Sequence, residues 1–305
     1  MRTSLNICSW NVGGLISENY DKTTDKDFIS EFDNSDIVLL TETHIGYKHN
    51  IKFENVHFYA FCREKSKNNR YFGGLGILIR RSIKVGIKFL NNGTSEYQWL
   101  KLCKDFFKFD RDIYLCIVYY APKSRVDIIE TIESDITEKY DKHGDILIAG
   151  DLNFRTGSER DFIADVYTHH IPIQNNSYST DYVEEERSSQ DSIIDSRGKT
   201  LLELCISNQI CILNVRCCGD SSGSYTCHKP NGCSVVDYVL VSERLIHNML
   251  YINVSDFKAA TVKHLLKYLH ILNRNKIILI LRERPFNLKW GYSFFLKKYS
   301  DSQCC

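Results

Sequence analysis

The sequence lacks a long apolar run, a sizeable net charge and an internal repeat. The longest apolar run near its end, 277–281, has five residues, whereas a helix that crosses a bilayer needs about 20. No charged-then-apolar leader precedes the polar strand end at Asn11, so we expect neither a membrane span nor a secretory signal. The missing repeat excludes an architecture of stacked units.

Positive and negative charges nearly cancel over the whole chain but not within its parts. There are 39 Lys+Arg and 38 Asp+Glu, a net charge of +1. Residues 263–305 contain nine basic and two acidic residues, so this tail carries +7 and residues 1–262 carry −6. An acidic body argues against strong non-specific binding to DNA, although a cleft in it can be locally basic. We predict one domain over 1–262 and a basic tail of unrelated sequence over 263–305.

The chain has twelve cysteines, but a long chain without a leader favours reduced, buried thiols in an intracellular protein over disulfides. The sequence does not separate nucleus from cytoplasm. One group could suggest zinc, but it lacks the Cys-x₂₋₄-Cys pair that structural zinc sites usually have. Small buried residues on neighbouring strands are the favoured interpretation of this group, which comprises Cys217, Cys218, Cys227, His228 and Cys233.

Apolar runs recur along the chain and predict strands over 5–10, 36–40, 113–119, 146–149 and 235–241. Strands outnumber helices, and short links between strands are mixed with α crossovers. This pattern favours two packed sheets flanked by helices over a doubly wound parallel sheet. The polar, serine-rich segment 174–199 predicts a solvated insertion or a flexible loop.

Polar side chains stand at or beside the ends of these strands, where α/β proteins build clefts. The carboxylate of Asp151 and the carboxamide of Asn153 lie two residues apart, so on an extended segment they point the same way. Each such residue alone has a plainer interpretation, as a turn residue, an exposed acid or edge packing. Together they form a candidate site of six residues: Asn11, Glu42, Tyr119, Asp151, Asn153 and Asp237.

This residue set suits phosphoester chemistry. Glu42 could bind a hard divalent cation, because Mg²⁺ prefers one or two carboxylates and keeps several waters. Asp151 could deprotonate a water for in-line attack at phosphorus, and Asn153 and Tyr119 could steady the charge that builds on the phosphoryl oxygens. Asp237 lies in a hydrophobic strand, where a carboxylate is costly unless it is hydrogen-bonded, so it is a candidate orienter of another group.

At this point the sequence resembles the endonuclease/exonuclease/phosphatase superfamily. Five ordered motifs carry the resemblance over roughly 4–262: Ser9–Gly14, Leu40–Thr43, Val118–Pro122, Gly150–Asn153 and Val236–Val239. It is most similar to the endonuclease domains of non-LTR retrotransposons. That likeness depends on Gly198–Cys205, Ile212–Asn214, Gly219–Asp220 and Gly223–Thr226.

The resemblance implies a four-layer α/β sandwich, hydrolysis of phosphodiesters with Mg²⁺ or Mn²⁺, and DNA as substrate. It implies that Glu42 is the principal metal ligand with Asn11 beside it. Asp151 would activate water or protonate the leaving group, while Asn153 and Tyr119 would hold the phosphate. Asp237 would orient a catalytic histidine.

That histidine is missing at its expected place. The family closes with Ser-Asp-His and an apolar strand some two dozen residues after the Asp-Tyr-Val motif, but Ser255-Asp256 is followed by Phe257, only 19 residues beyond Asp237. His264 lies 27 residues beyond Asp237, but Lys263 precedes it. We expect the last strand to be missing or replaced and the activity to be weak or lost, since one such group typically contributes about 10²–10³ in rate.

Two other functions fit parts of the sequence. One is a catalytically dead binding module whose basic, aromatic tail contacts nucleic acid or anionic lipid. The other is a phosphoinositide phosphatase, which Asp151–Arg155 resembles but 198–226 does not.

Overall fold

The computed structural model describes residues 4–18, 20–65, 70–90, 93–122, 124, 127–162, 186–230, 232–255 and 276–282. The strands are β1 (Ser4–Asn11), β2 (Ile16–Ser17), β3 (Tyr20–Asp21), β4 (Ile37–Thr41), β5 (Val56–Phe61), β6 (Leu75–Arg80), β7 (Ile87–Phe89), β8 (Tyr97–Leu102), β9 (Asp112–Tyr119), β10 (Gly144–Asp151), β11 (Ile210–Ile212), β12 (Cys227–Lys229), β13 (Gly232–Ser234), β14 (Asp237–Ser242), β15 (Met249–Ser255) and β16 (Lys276–Arg282). The α-helices are α1 (Lys26–Ser30), α2 (Lys104–Phe107), α3 (Ile128–Asp135) and α4 (Ser196–Ser207). Two 3₁₀ helices span Arg81–Gly86 and Glu243–Asn248, and a π-helix spans Ile136–Tyr140.

The strands form two mixed six-stranded sheets. The first has the order β15-β16-β1-β4-β6-β5, and the second has the order β11-β14-β10-β9-β8-β7. Aspartates begin the helices that flank them. The carboxylate of Asp25 accepts from two backbone N–H groups at the start of α1, and Asp127 and Asp195 cap α3 and α4.

Alternation along the strands sorts the side chains into layers, because successive residues of a strand face opposite sides of its sheet. Leu5 and Ile7 of β1 pack between the sheets with Leu147 and Ala149 of β10. Trp10 of β1 packs on the outer side of the first sheet with residues of α1. Ile128, Ile132 and other apolar residues of α3 and α4 cover the outer side of the second sheet. The predicted four-layer α/β sandwich is therefore confirmed.

The closing strand is replaced rather than missing. Strand β16 comes from within the predicted tail and lies between β15 and β1, parallel to both. Its apolar residues Ile277, Leu279 and Leu281 are buried between the sheets. The predicted domain boundary at 262 falls outside the described residues and stays a prediction.

The described part of the segment 174–199, residues 186–199, is exposed at many positions, as predicted for a solvated insertion or a flexible loop, but it also contains buried charged residues. Arg187 and Asp191 are buried there, and the carboxylate of Asp191 accepts from Arg155 through two hydrogen bonds, at 2.8 and 2.5 Å. The polar composition of this stretch supplies buried ion pairs. Residues 163–185 lie outside the described residues.

Two further expectations concern membranes and cysteines. No helix in the described part of the chain is long and apolar enough to cross a bilayer.

The ten cysteines described by the structure are free thiols. Of the residues that could suggest zinc, His228 and Cys233 lie close together, with Nδ1 of His228 3.1 Å from Sγ of Cys233.

Candidate active site

Three of the six candidate residues lie side by side across the second sheet. Asp151 at the end of β10 pairs with Tyr119 at the end of parallel β9 and with Asp237 at the start of antiparallel β14. All three share the strand face that points between the sheets, since Leu147, Ala149, Ile117 and Val239 of the same faces are in the inter-sheet core. The sheet register thus gathers three polar side chains at one end of the sandwich.

Asn11 supplies the link from the first sheet. It ends β1 on the same face as Leu5 and Ile7, and its carboxamide N–H donates to Oδ2 of Asp151 at 2.5 Å. Its side-chain oxygen Oδ1 accepts from the backbone N–H of Gly13 at 3.1 Å. Asn11 is 1% exposed, as is Asp151. This bond between residues 140 positions apart joins the two sheets at the site.

Glu42 lies at the same end, one residue after Thr41, the register partner of Asn11. Its backbone is left-handed, with φ 52°, and its carbonyl accepts from Gly14 at 2.7 Å. Such backbone conformations are uncommon for residues other than glycine and concentrate at functional sites. The Glu42 carboxylate lies 3.5 Å from Nε2 of His44. Burial, helped by the charge of Lys22, lowers the pKa of His44 to about 4, so this imidazole is neutral at pH 7.

Asn153 holds Asp151 in place. Its backbone N–H donates to Oδ1 of Asp151 at 3.0 Å, and its carboxamide donates to the Tyr120 carbonyl at 3.0 Å. Asn153 is also left-handed, with φ 51°. These contacts make Asn153 an orienter of Asp151, and its role in holding a phosphate stays a prediction.

Burial disfavours the charged form of Asp151 and Asp237. It raises the pKa of Asp151 to about 6, although hydrogen bonds from Asn11 and Asn153 act in the other direction. Burial and the nearby Asp151 raise the pKa of Asp237 well above its ordinary range. Burial also raises the pKa of Tyr119 to about 12, so its phenol stays protonated and can donate a hydrogen bond at neutral pH.

Two residues that sequence reasoning missed support Asp237. The Thr226 hydroxyl accepts from the backbone N–H groups of Val236 and Asp237, at 3.0 and 3.1 Å, and also bonds the Asp237 carboxyl. The Asn214 carboxamide donates to the Asp237 carbonyl at 3.1 Å. Thr226 is fully buried. Both residues stand in motifs of the sequence resemblance, which is the signal that could have found them.

Arg63 is a third residue that the sequence did not single out. Its guanidinium lies 5.9 Å from the ring centroid of Tyr119 and pairs with Glu96. The Glu96 carbonyl in turn accepts from the Tyr119 backbone N–H at 2.7 Å. No sequence signal marks this arginine, because a loop and a strand distant in sequence bring it to Tyr119.

Gly73 makes room for Tyr119. A Cβ on Gly73 would lie 2.9 Å from the Tyr119 ring, and the residue has φ +72°. Gly157 has φ +56°, but its nearest neighbour would lie at 3.4 Å.

We expect Gly73→Ala to lower the free energy of unfolding by about 2–3 kcal/mol, since it adds crowding to the roughly 1 kcal/mol cost of a left-handed alanine. The matched variant Gly157→Ala carries only the conformational cost and should lose about 1 kcal/mol. Urea unfolding measures both values. Equal losses in the two variants would mean that Tyr119 yields without cost.

The donor set fits a hard divalent cation. Glu42, Asn11 and Asp151 present carboxylate and carboxamide oxygens at one end of the sandwich, and Mg²⁺ and Mn²⁺ prefer such ligands. Within the described ranges, no three His, Cys, Asp or Glu side chains cluster closely enough to hold a metal. Mg²⁺ itself favours one or two carboxylates and several waters, so Glu42 with Asn11 beside it suits this cation.

The direction of β16 bears on the missing histidine. In the sequence motif the histidine precedes the closing strand, but the first residue of β16, Lys276, pairs with Ser4 at the opposite end of β1 from Asn11. Seven residues of strand, about 23 Å, separate these ends. Strand β16 therefore begins at the end of the first sheet away from Asn11. His264 lies outside the described residues.

The family model for the endonuclease/exonuclease/phosphatase family matches residues 8–256. The chain belongs to this family. The match covers most of the chain and includes all six candidate residues, and members of the family are hydrolytic nucleases and phosphatases. No curated protein matches the chain.

Three solved structures that are similar to this chain have low sequence identity to it. A 3'-5' exonuclease from Neisseria meningitidis has 14% identity and a TM-score of 0.48, covering 79% of this chain and 88% of its own. An AP endonuclease from Archaeoglobus fulgidus has 12% identity and a TM-score of 0.49, with the same coverages. The catalytic domain of Xenopus laevis APE2 has 14% identity and a TM-score of 0.48, covering 79% of this chain and 83% of its own.

Proposed function

We propose that this family member is a divalent-metal-dependent phosphodiesterase that nicks DNA, derived from a retrotransposon endonuclease and reduced in rate. The observation that carries the proposal is the row of Tyr119, Asp151 and Asp237, joined to the other sheet by the bond from Asn11 to Asp151. The retrotransposon lineage is supported by the motifs between 198 and 226.

The residues divide the chemistry among them. Asp151 exchanges a proton with the attacking water or the leaving oxygen, and Asn11 and Asn153 fix its two carboxyl oxygens. The protonated Tyr119 phenol donates to a phosphoryl oxygen, where negative charge grows in the transition state. Glu42 and Asn11 would hold the cation. When bound, the cation supplies positive charge at the phosphoryl oxygens.

The reduced rate follows from the replaced closing strand. Asp237 is in place, but the histidine it would orient is absent from its expected position, and β16 begins at the far end of the sheet. We expect a rate about 10²–10³ below that of a site with the histidine.

Nicking of supercoiled plasmid in Mg²⁺ tests the proposal. We expect slow nicking by the unaltered protein, abolished by EDTA and lowered about 10²-fold or more by Glu42→Gln, because the variant loses the principal ligand charge. Glu54→Gln is the matched control and should nick like the unaltered protein, because Glu54 is exposed and precedes β5, whose first residue pairs with Arg80 at the end of β6 away from Glu42. An abasic-site duplex run in parallel separates lesion-specific from general cleavage.

Two outcomes would contradict the proposal. Absence of nicking above the Glu42→Gln level, in protein shown to be folded, would overturn the enzyme proposal and favour a binding module. Release of phosphate from an inositol phosphate, without nicking, would favour a phosphatase.

A further inference from the structure

Six large apolar or aromatic side chains are more than 40% exposed in the part of the chain that the structure describes. They are Tyr20, Tyr47, Phe72, Val85, Phe106 and Ile193. Phe72, which is 50% exposed, lies beside the candidate active site in contact with His44, and Tyr47, which is 79% exposed, follows three residues after His44. An aromatic ring left in water next to a site is a candidate contact surface for what the site binds.

These two residues belong to two loops whose described residues are 44–49 in the first and 62–65 and 70–73 in the second. Tyr47 donates to the Cys62 carbonyl at 3.2 Å, so one loop is tied to the other. Tyr71 lies against the backbone of Gly46, where a Cβ would overlap its ring. We call Tyr47, Tyr71 and Phe72 the aromatic rim. These contacts hold the backbone of the rim in place while the Tyr47 and Phe72 rings stay exposed.

The aromatic rim is continuous with the site. The Phe72 ring meets the His44 ring edge-on at 5.8 Å, and His44 lies 3.5 Å from the Glu42 carboxylate. Gly73, the next residue after Phe72, lies against Tyr119. A substrate held on the aromatic rim would therefore extend directly to Glu42, the predicted metal ligand, and to Tyr119, a predicted phosphate-binding residue.

Cations are interleaved with the rings. Nζ of Lys65 lies 5.3 Å from the Tyr71 ring centroid, and Arg63 lies over Tyr119. Glu64 is the one acidic residue among the described residues of the two loops, against Lys48, Lys65, Arg70 and Arg63, of which Arg63 is paired with Glu96 of another segment. Exposed rings among positive charges match the two features of a single-stranded nucleic acid, its bases and its phosphates. A protein partner with an apolar patch would not need this positive charge.

We propose that the aromatic rim stacks an unpaired base of a DNA strand beside the phosphate to be cleaved, an inference that rests on the proposed function. Phe72 is the main platform, because it is the exposed ring in contact with His44. Arg63 and Lys65 contact the backbone of the same strand.

Fluorescence anisotropy with a fluorescein-labelled 12-nucleotide single-stranded DNA in EDTA tests this surface without cleavage. We expect Phe72→Ala to weaken binding about 5- to 100-fold, the range for losing one base–aromatic stack. Phe72→Trp should keep the affinity. Phe106→Ala removes a ring that is 42% exposed elsewhere and should leave binding unchanged. Because no charge is lost in Phe72→Ala, the dependence of affinity on salt should keep its slope.

The outcomes separate this proposal from the function it rests on. Unchanged affinity in Phe72→Ala, beside nicking that Glu42→Gln removes, would overturn the rim and leave the enzyme standing. Binding that depends on Phe72 without any nicking would support the rim and overturn the enzyme. An unaltered protein that does not bind the oligonucleotide would overturn the rim.

Discussion

Asp161→Asn is expected to lower the free energy of unfolding by about 3–5 kcal/mol, because it leaves buried cations without their counter-charge. The Asp161 carboxylate accepts from Arg216 through two bonds, at 2.5 and 2.6 Å, and from the Ile212 backbone N–H at 2.7 Å. Arg187 lies 3.8 Å away, and all three charged side chains are at most 1% exposed. Urea unfolding followed by circular dichroism measures the loss.

The matched control is the nearby exposed ion pair between Arg160 and Glu186, whose side chains are 60% and 67% exposed. Glu186→Gln should cost no more than about 1 kcal/mol, because water screens the pair. Similar small losses in both variants would show that water enters the Asp161 cluster. If Asp161→Asn does not fold, replacing Asp161, Arg187 and Arg216 together with apolar residues should recover folding, since no charge is then left unpaired.

Asp237→Asn is expected to stabilise the protein above pH 4 and to change the nicking rate little. The folded-state pKa of Asp237 is raised, whereas the carboxyl of an unfolded chain ionises near pH 4. Between these two pKa values the unfolded state releases a proton that the folded state keeps, so the stability of the unaltered protein falls as pH rises. Asparagine does not titrate and escapes this loss.

Urea unfolding at pH 4, 6 and 8 in EDTA, with nicking assays at pH 8, measures both effects. The stability gap between Asp237→Asn and the unaltered protein should be near zero at pH 4 and should widen toward pH 8. Nicking should change less than tenfold, since the histidine that Asp237 would orient is absent from its expected place. A loss of 10² or more would show that Asp237 serves the reaction directly. Asp151→Asn is the comparison that should remove nicking.

The strand ends that carry the candidate site could be predicted, because the apolar runs in the sequence coincide with the strands of the tertiary structure. Apolar runs marked β1, β4, β9, β10 and β14, and the alternation of side chains then placed Asn11 and Asp151 between the sheets. Strand β5 was missed, because its edge position leaves its side chains partly exposed and blurs the pattern.

Other features depend on long-range pairing and leave no local signal. The approach of Arg63 to Tyr119 depends on sheet order, and the direction of β16 depends on which end of β1 it meets. Arg187 and Asp191 lie in a segment whose polar composition is that of a solvated loop. Only the tertiary structure shows that these two residues are buried and paired. The propensity of a residue for helix or strand reports only its local preference. The three features above depend on contacts between distant segments, so they could not be predicted from the sequence.

The position of β16 also constrains how the protein is made. Ser4 pairs with Lys276, 272 residues later in the chain, and ribosomes add about 5–20 residues per second, so β1 waits on the order of 15 to 50 seconds for its neighbour. During that time one edge of β1 is an open template for wrong pairing or aggregation. Yield from expression should therefore respond to slower synthesis and to chaperones, and a nascent chain released before residue 282 should be recovered mainly in the insoluble fraction.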